Sequence, residues 1–142
     1  MYLLDTNVIS EMRKARNGKA DPNVVANMGV MDVSELYVSV IVLLELEHGV
    51  LLKERKDPAT GAILRTWLDD RIKPEFEDRT IDVDLVVAMR CAAIIAKTPK
   101  PYRDALIASC ALVHGMTVVT RNVDDFKGTG VNILNPWSAP QK

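Results

Sequence analysis

The 142 residues include only two cysteines, Cys91 and Cys110, and neither belongs to a Cys-x-x-Cys pair or a zinc-ligand spacing. Both fall in Ala-rich segments that read as helices, so buried, reduced thiols are expected. Histidine is equally scarce. His48 and His114 stand apart from any Cys or Ser motif, which argues against nucleophilic or zinc chemistry through them. No apolar run approaches the roughly 20 residues that span a bilayer, and Asp5 interrupts the N-terminus before a signal-peptide core can form. A cytoplasmic protein with no membrane partner is therefore expected. An excess of one charge is missing too: the formal net charge is -1, without the basic signature that phosphate contacts leave. That balance decides nothing by itself, because a catalytic acidic cluster would offset a basic rim.

What remains is an ordinary globular composition, 48% hydrophobic and 26% charged, with Gly and Pro scattered rather than clustered. The length suits a single domain over residues 1–142. Tyr2-Leu3-Leu4 reads as a buried strand ending in the polar Asp5-Thr6-Asn7. A short helix over Val8 to Lys14 follows, then a loop around Asn17-Gly18-Lys19, then a helix from Pro22 to about Met28 with Asp21 as N-cap. Leu36 to Ser39 is a second strand. The Leu- and Glu-rich run from Ile41 to about Arg55 favours a helix, broken by Asp57-Pro58. Another helix runs from Pro58 or Ala59 to about Ile72, followed by Lys73-Pro74 and a short extended piece near Thr80-Ile81. Asp82 to Lys97 and Arg103 to His114 are helices, the latter closed by Gly115. Thr117 to Thr120 and Val131 to Leu134 complete the strands. Strands alternating with helices predict an α/β sandwich with a mainly parallel sheet.

In such sheets the working site lies beyond the carboxyl ends of the strands. Asp5 follows the first strand there, and Arg121-Asn122 follows the strand over Thr117 to Thr120. Glu45 and Asp104 sit on helices able to lean over the same edge. Converging carboxylates repel, and a divalent cation is the usual remedy. Without metal, neutralising Glu45 should then leave stability unchanged or raise it. Each acid also has a plainer explanation: Asp5 as a turn residue, Asp104 as an acid favoured in a first helical turn. Glu45 has no basic partner three or four residues away on its own helix, but Glu47 has similar surroundings, and periodicity does not choose between them.

Four segments, taken in order, resemble the motifs of a PIN domain of the VapC/FitB type. They are Tyr2 to Glu11, Ser39 to Leu46 followed by Gly49, Asp104 to Ala108, and Thr120 to Phe126; Asn135-Pro136-Trp137 is similar to the ending of FitB-like members. The resemblance covers nearly the whole chain and selects Glu45 over Glu47. It implies a PIN-domain-like α/β/α sandwich and a metal-dependent endoribonuclease, the toxin of a type II toxin-antitoxin pair, with Mg²⁺ or Mn²⁺ as cofactor. Asp5, Glu45 and Asp104 are the implied metal ligands and catalytic acids, with Asn122 and Asp125 as candidates for a fourth ligand and Asp125 counted among the catalytic residues. Thr6, Asn7 and Thr120 would support the site. Val42 stands where the family often has Thr, and Asn122 where some members have an acid.

The partners the resemblance implies are an RNA substrate, a small antitoxin that inserts residues near the acidic site, and a second copy in a homodimer. Ala105, Ala108 and Ala111 recur at near-helical spacing and permit close approach of another element, as they equally permit packing on the chain's own sheet. Arg13, Lys14 and Arg16 form one basic group, and Lys97, Lys100 and Arg103 another. A solvated surface is the default for both, with RNA backbone contact the sharper alternative at Arg13, Lys14, Lys100 and Arg103. Two rival functions are a catalytically inactive protein of this fold that binds RNA or a partner, and a phosphatase of the haloacid-dehalogenase kind. The phosphatase chemistry needs a second Asp where Asn7 stands.

Overall fold

The strands are short, and consecutive residues within them are buried: Leu3 and Leu4, Val38 and Ser39, Val118 and Val119. Successive side chains point to opposite faces of a sheet, so both faces are covered by helices. A computed structural model describes residues 1–140 and shows that sandwich. Five parallel strands run in the order β3-β2-β1-β4-β5. They are β1 (Tyr2–Leu4), β2 (Leu36–Ser39), β3 (Thr80–Ile81), β4 (Thr117–Val119) and β5 (Ile133–Leu134). The last is two residues shorter than Val131 to Leu134 predicts.

Seven α-helices surround the sheet: α1 (Thr6–Arg13), α2 (Pro22–Gly29), α3 (Val40–Lys56), α4 (Pro58–Trp67), α5 (Lys73–Glu75), α6 (Leu85–Lys97) and α7 (Tyr102–His114). Five of the starts follow side-chain caps. Asp5, Asp21, Ser39, Asp57 and Asp84 each accept a hydrogen bond from a backbone N–H of the turn that follows. Hence α1 begins at Thr6 rather than Val8, and α6 begins after Asp84 rather than at Asp82. A 3-10 turn over Lys14–Asn17 replaces the expected loop and closes on Gly18 at φ 70. The chain stays helical beyond the expected end near Ile72. A π-helical turn, Leu68–Ile72, leads into α5, and Pro74 sits in the first turn of α5, where its missing N–H costs nothing.

α3 and α4 pack closely because Gly61 lies against Glu54; a Cβ at Gly61 would stand 2.5 Å from the Glu54 Cα. Arg65 of α4 fastens the pair by bonding Glu47 and Glu54 of α3. On α7, Ala105, Ala108 and Ala111 are all fully buried in the chain's own core, so this stripe serves internal packing and offers nothing to a partner. Cys91 and Cys110 are free and buried, and burial pushes both thiols up, Cys110 to about 11. No helix among the described residues is long and apolar enough to cross a membrane.

Candidate functional site

Strand addition reverses direction around β1, with β2 and β3 on one side and β4 and β5 on the other. Such a switch point leaves a crevice at the carboxyl ends of the strands. Asp5 emerges there. Its backbone N–H donates to the Val119 carbonyl of β4 at 2.9 Å, and its Oδ1 accepts from the Thr6 N–H at 2.8 Å, capping α1. Thr120 follows β4 and donates its hydroxyl to Asp5 Oδ2 at 2.8 Å. Asn7 donates to Asp5 Oδ2 and Thr120 Oγ1 at 3.5 and 3.4 Å, and accepts from the Arg121 N–H. The three residues expected to support the site thus surround its central acid.

Glu45 reaches the crevice from α3, accepting the Thr6 hydroxyl at 2.7 Å. Glu47, about 200° further round that helix, takes Arg65 through both carboxylate oxygens at 2.8 and 2.6 Å. One Glu belongs to the site and the other to the α3–α4 junction. Asp104 lies in the first turn of α7, buried, with only 10% of its side chain exposed.

Arg103 occupies the middle of the three acids. Its Nε and Nη2 grip Glu45 at 2.9 and 2.8 Å, Nη1 donates to Asp104 Oδ1 at 2.9 Å, and Nη2 also donates to Asp5 Oδ1. Three carboxylates against one guanidinium leave a formal charge of -2. The metal-free cluster is therefore partly neutralised, where its sequence suggested uncompensated repulsion. Arg103, read from the sequence as a solvated residue or an RNA backbone contact, is instead turned inwards. Partial burial pushes the Glu45 carboxyl up, but the hydrogen bonds from Arg103 and Thr6, with the Arg103 charge, outweigh it and hold Glu45 below the ordinary 4.5. Burial acts against the Arg103 charge, yet Glu45 and Asp5 together hold this guanidinium well above its ordinary range.

A sequence signal for this placement exists. Cations are disfavoured in the first turn of a helix, and the residues three and four ahead of Arg103 are Leu106 and Ile107. An Arg there with no acid three or four residues ahead, and only the adjacent Asp104 beside it, is free to take further partners elsewhere in the fold.

Asn122 and Asp125 are not brought into the cluster. Both are exposed; Asn122 donates its backbone N–H to Thr120 Oγ1 at 3.0 Å, and Asp125 lies on the 3-10 turn Val123–Phe126. Neither side chain bonds the acids among the described residues, because the turn carries them outwards after Thr120. Arg13 stacks over Trp67 at 5.7 Å, Lys14 pairs with Glu11 at 3.2 Å, and Lys100 is half-buried just ahead of α7. Among the described residues no three Asp, Glu, His or Cys side chains are gathered as a metal ion would gather them. The acids stand apart by the width of a guanidinium.

Comparison with known proteins agrees with this geometry. The family model described as PIN domain matches residues 2–131. The toxin FitB of Neisseria gonorrhoeae is 35% identical over 144 residues, covering 96% of this chain and 99% of that protein. VapC ribonuclease Y4jK of Sinorhizobium fredii is 32% identical over 142 residues, covering 96% and 98%. The solved structure of FitAB bound to an IR36 DNA fragment covers 99% of both chains at 31% identity, with a TM-score of 0.84. A parallel sheet with its acids at the switch point, and a family match from the first strand past the fourth, establish that this chain belongs to the PIN-domain family.

Proposed function

We propose that the protein is a metal-dependent endoribonuclease that hydrolyses RNA phosphodiester bonds with Mg²⁺ or Mn²⁺, acting in the cytoplasm as the toxin of a type II toxin-antitoxin pair. The observation that carries this reading is the convergence of Asp5, Glu45 and Asp104 on one cationic group at the carboxyl edge of the sheet. Relatives bearing the names ribonuclease and toxin support it. The donor chemistry fits: three hard oxygen donors suit Mg²⁺ or Mn²⁺, and the Arg103 guanidinium is a stand-in cation among them. Asp5, Glu45 and Asp104 would hold the ion. When bound, it supplies charge neutralisation at the phosphoryl oxygens and acidifies water for attack.

The chain's own residues do the positioning. Thr120 and Asn7 fix Asp5 Oδ2, so Oδ1 is the oxygen turned towards the cation; Thr6 fixes Glu45. Asn122 and Asp125 are left out of the ligand set on their exposure. Lys100, three residues ahead of Arg103, is kept as the candidate contact for an RNA phosphate. Asn7, bonded to Asp5 and Thr120, leaves no second Asp for phosphatase chemistry.

A cleft of about 560 Å³, with Met12, Trp67 and Phe76 in its walls and Arg13, Arg16 and Arg71 and the acids Asp70 and Glu75 around them, suits a largely apolar antitoxin segment. α6 turns Leu85, Val86, Met89, Ala92, Ala93 and Ala96 to solvent, an apolar stripe fitted to a homodimer. The function is tested by incubating the purified protein with structured RNAs, with and without Mn²⁺, beside Asp5→Asn, which keeps a capping side chain. Cleavage by the wild type in Mn²⁺ alone is expected. RNA that is bound but left intact in Mn²⁺ would make the protein a binding module, and a phosphorylated Asp5 would make it a phosphatase.

A further inference from the structure

We propose that the Arg103 guanidinium and a divalent cation are alternative occupants of one carboxylate cluster, so that metal enters this site only as Arg103 leaves it. The competition presupposes the metal-dependent function proposed above. One nitrogen, Nη2, is shared by Asp5 Oδ1 and Glu45 Oε1, and Nη1 takes Asp104 Oδ1. An ion held by any two of these oxygens must stand where the guanidinium stands, and two cations cannot share a partly buried space.

The exit is open. Arg103 is 28% exposed and Glu45 32%, whereas Asp5 is fully buried. The guanidinium can therefore rotate to solvent past Glu45 on its flexible stem. Asp5 stays oriented after that departure, because the Thr6 N–H, the Thr120 hydroxyl and the Asn7 amide still hold it. The protein thus carries its own counter-cation in the metal-free state, and its metal affinity includes the cost of breaking three ion pairs.

Two measurements on the full chain test this. The first follows the Arg103 Nε–H by ¹⁵N NMR, assigned by its loss in Arg103→Gln, during a Mg²⁺ titration. It should be protected in EDTA and move to the position of a solvated arginine as Mg²⁺ saturates. The second is calorimetric Mn²⁺ binding. Arg103→Gln should bind about ten- to a hundredfold tighter than wild type, the worth of hydrogen bonds to charged groups. Arg103→Lys, which keeps the charge but cannot fork between three acids, should gain less. Circular dichroism checks both variants for folding, and if Arg103→Gln does not fold, Arg103→Lys carries the comparison and the assignment. An Nε–H unmoved at saturating Mg²⁺, or equal or weaker Mn²⁺ binding in the folded variants, overturns the competition and leaves the nuclease reading standing. No Mn²⁺ binding by wild type or variants at millimolar concentration, with RNA uncleaved, overturns both.

Discussion

Replacing Glu45 by Gln in the metal-free protein separates two pictures of the site by the sign of its effect. If the carboxylates merely repelled, removing one charge would leave the melting temperature unchanged or raise it. Glu45 instead accepts from Arg103 through two oxygens at 2.9 and 2.8 Å and from Thr6 at 2.7 Å. The amide keeps the shape, loses the charge, and turns an NH₂ towards a guanidinium that needs acceptors. Hydrogen bonds to charged groups contribute about 1.5–3 kcal/mol each, and Glu45 is 32% exposed, so screening reduces the expected loss to roughly 1–2 kcal/mol. At about 2.1 cal/mol/K per residue, 1 kcal/mol shifts a chain of this length by about 3 °C. Calorimetry in EDTA at neutral pH should therefore show Glu45→Gln melting about 3–7 °C below wild type. In an Arg103→Ala background the same change should be neutral or stabilising, since only repulsion is left to remove. A Glu45→Gln protein that melts at or above wild type, or a loss that persists without Arg103, would show that the guanidinium does not hold the cluster together.

The same pairing gives a pH dependence. The folded-state value of Glu45 lies below 4.5, so its contribution is fully present above that pH and is lost as the pH falls through the folded value; in EDTA the melting temperature of Glu45→Gln should fall less steeply below about pH 4.5 than that of wild type, and parallel curves would refute this. Arg65→Ala releases Glu47 and Glu54 from the α3–α4 junction. A small fall in melting temperature by scanning fluorimetry is expected, with RNA cleavage unchanged. Gly61→Ala forces a methyl group against the Glu54 backbone, and overpacking of about 1–3 kcal/mol should lower the melting temperature by about 3–10 °C. Wild-type stability in that variant would mean that the two helices can separate freely.

Features coded by neighbouring residues were legible in the sequence. The strand-Asp-Thr-Asn start, the Asp21-Pro22 and Asp57-Pro58 caps and Gly115 after α7 act over one to four residues, and each stands within two residues of its expected place. The choice between Glu45 and Glu47 was not legible from periodicity. It is made by Arg65, 18 residues from Glu47, and by Arg103, 58 residues from Glu45. Asn122 and Asp125 follow a strand at the right edge, but the turn that comes next leaves both exposed and unbonded to the three acids.

Arg103 alters what the acidic triad means for stability. In a cluster neutralised only by metal, the apo protein carries the full repulsion, and metal binding becomes part of the folding energy. Here a guanidinium delivered from the residue before Asp104 offsets one charge of three, satisfies oxygens on all three acids, and leaves Asp5, which has no exposure to water, fully bonded. The chain can then fold without waiting for metal. The same contacts must be broken when an ion arrives, so the rise in melting temperature on adding Mn²⁺, which follows the logarithm of concentration over Kd, should be smaller in the wild type than in Arg103→Gln. If the proposed competition holds, stability without metal and metal binding draw on the same three carboxylates, and strengthening one weakens the other.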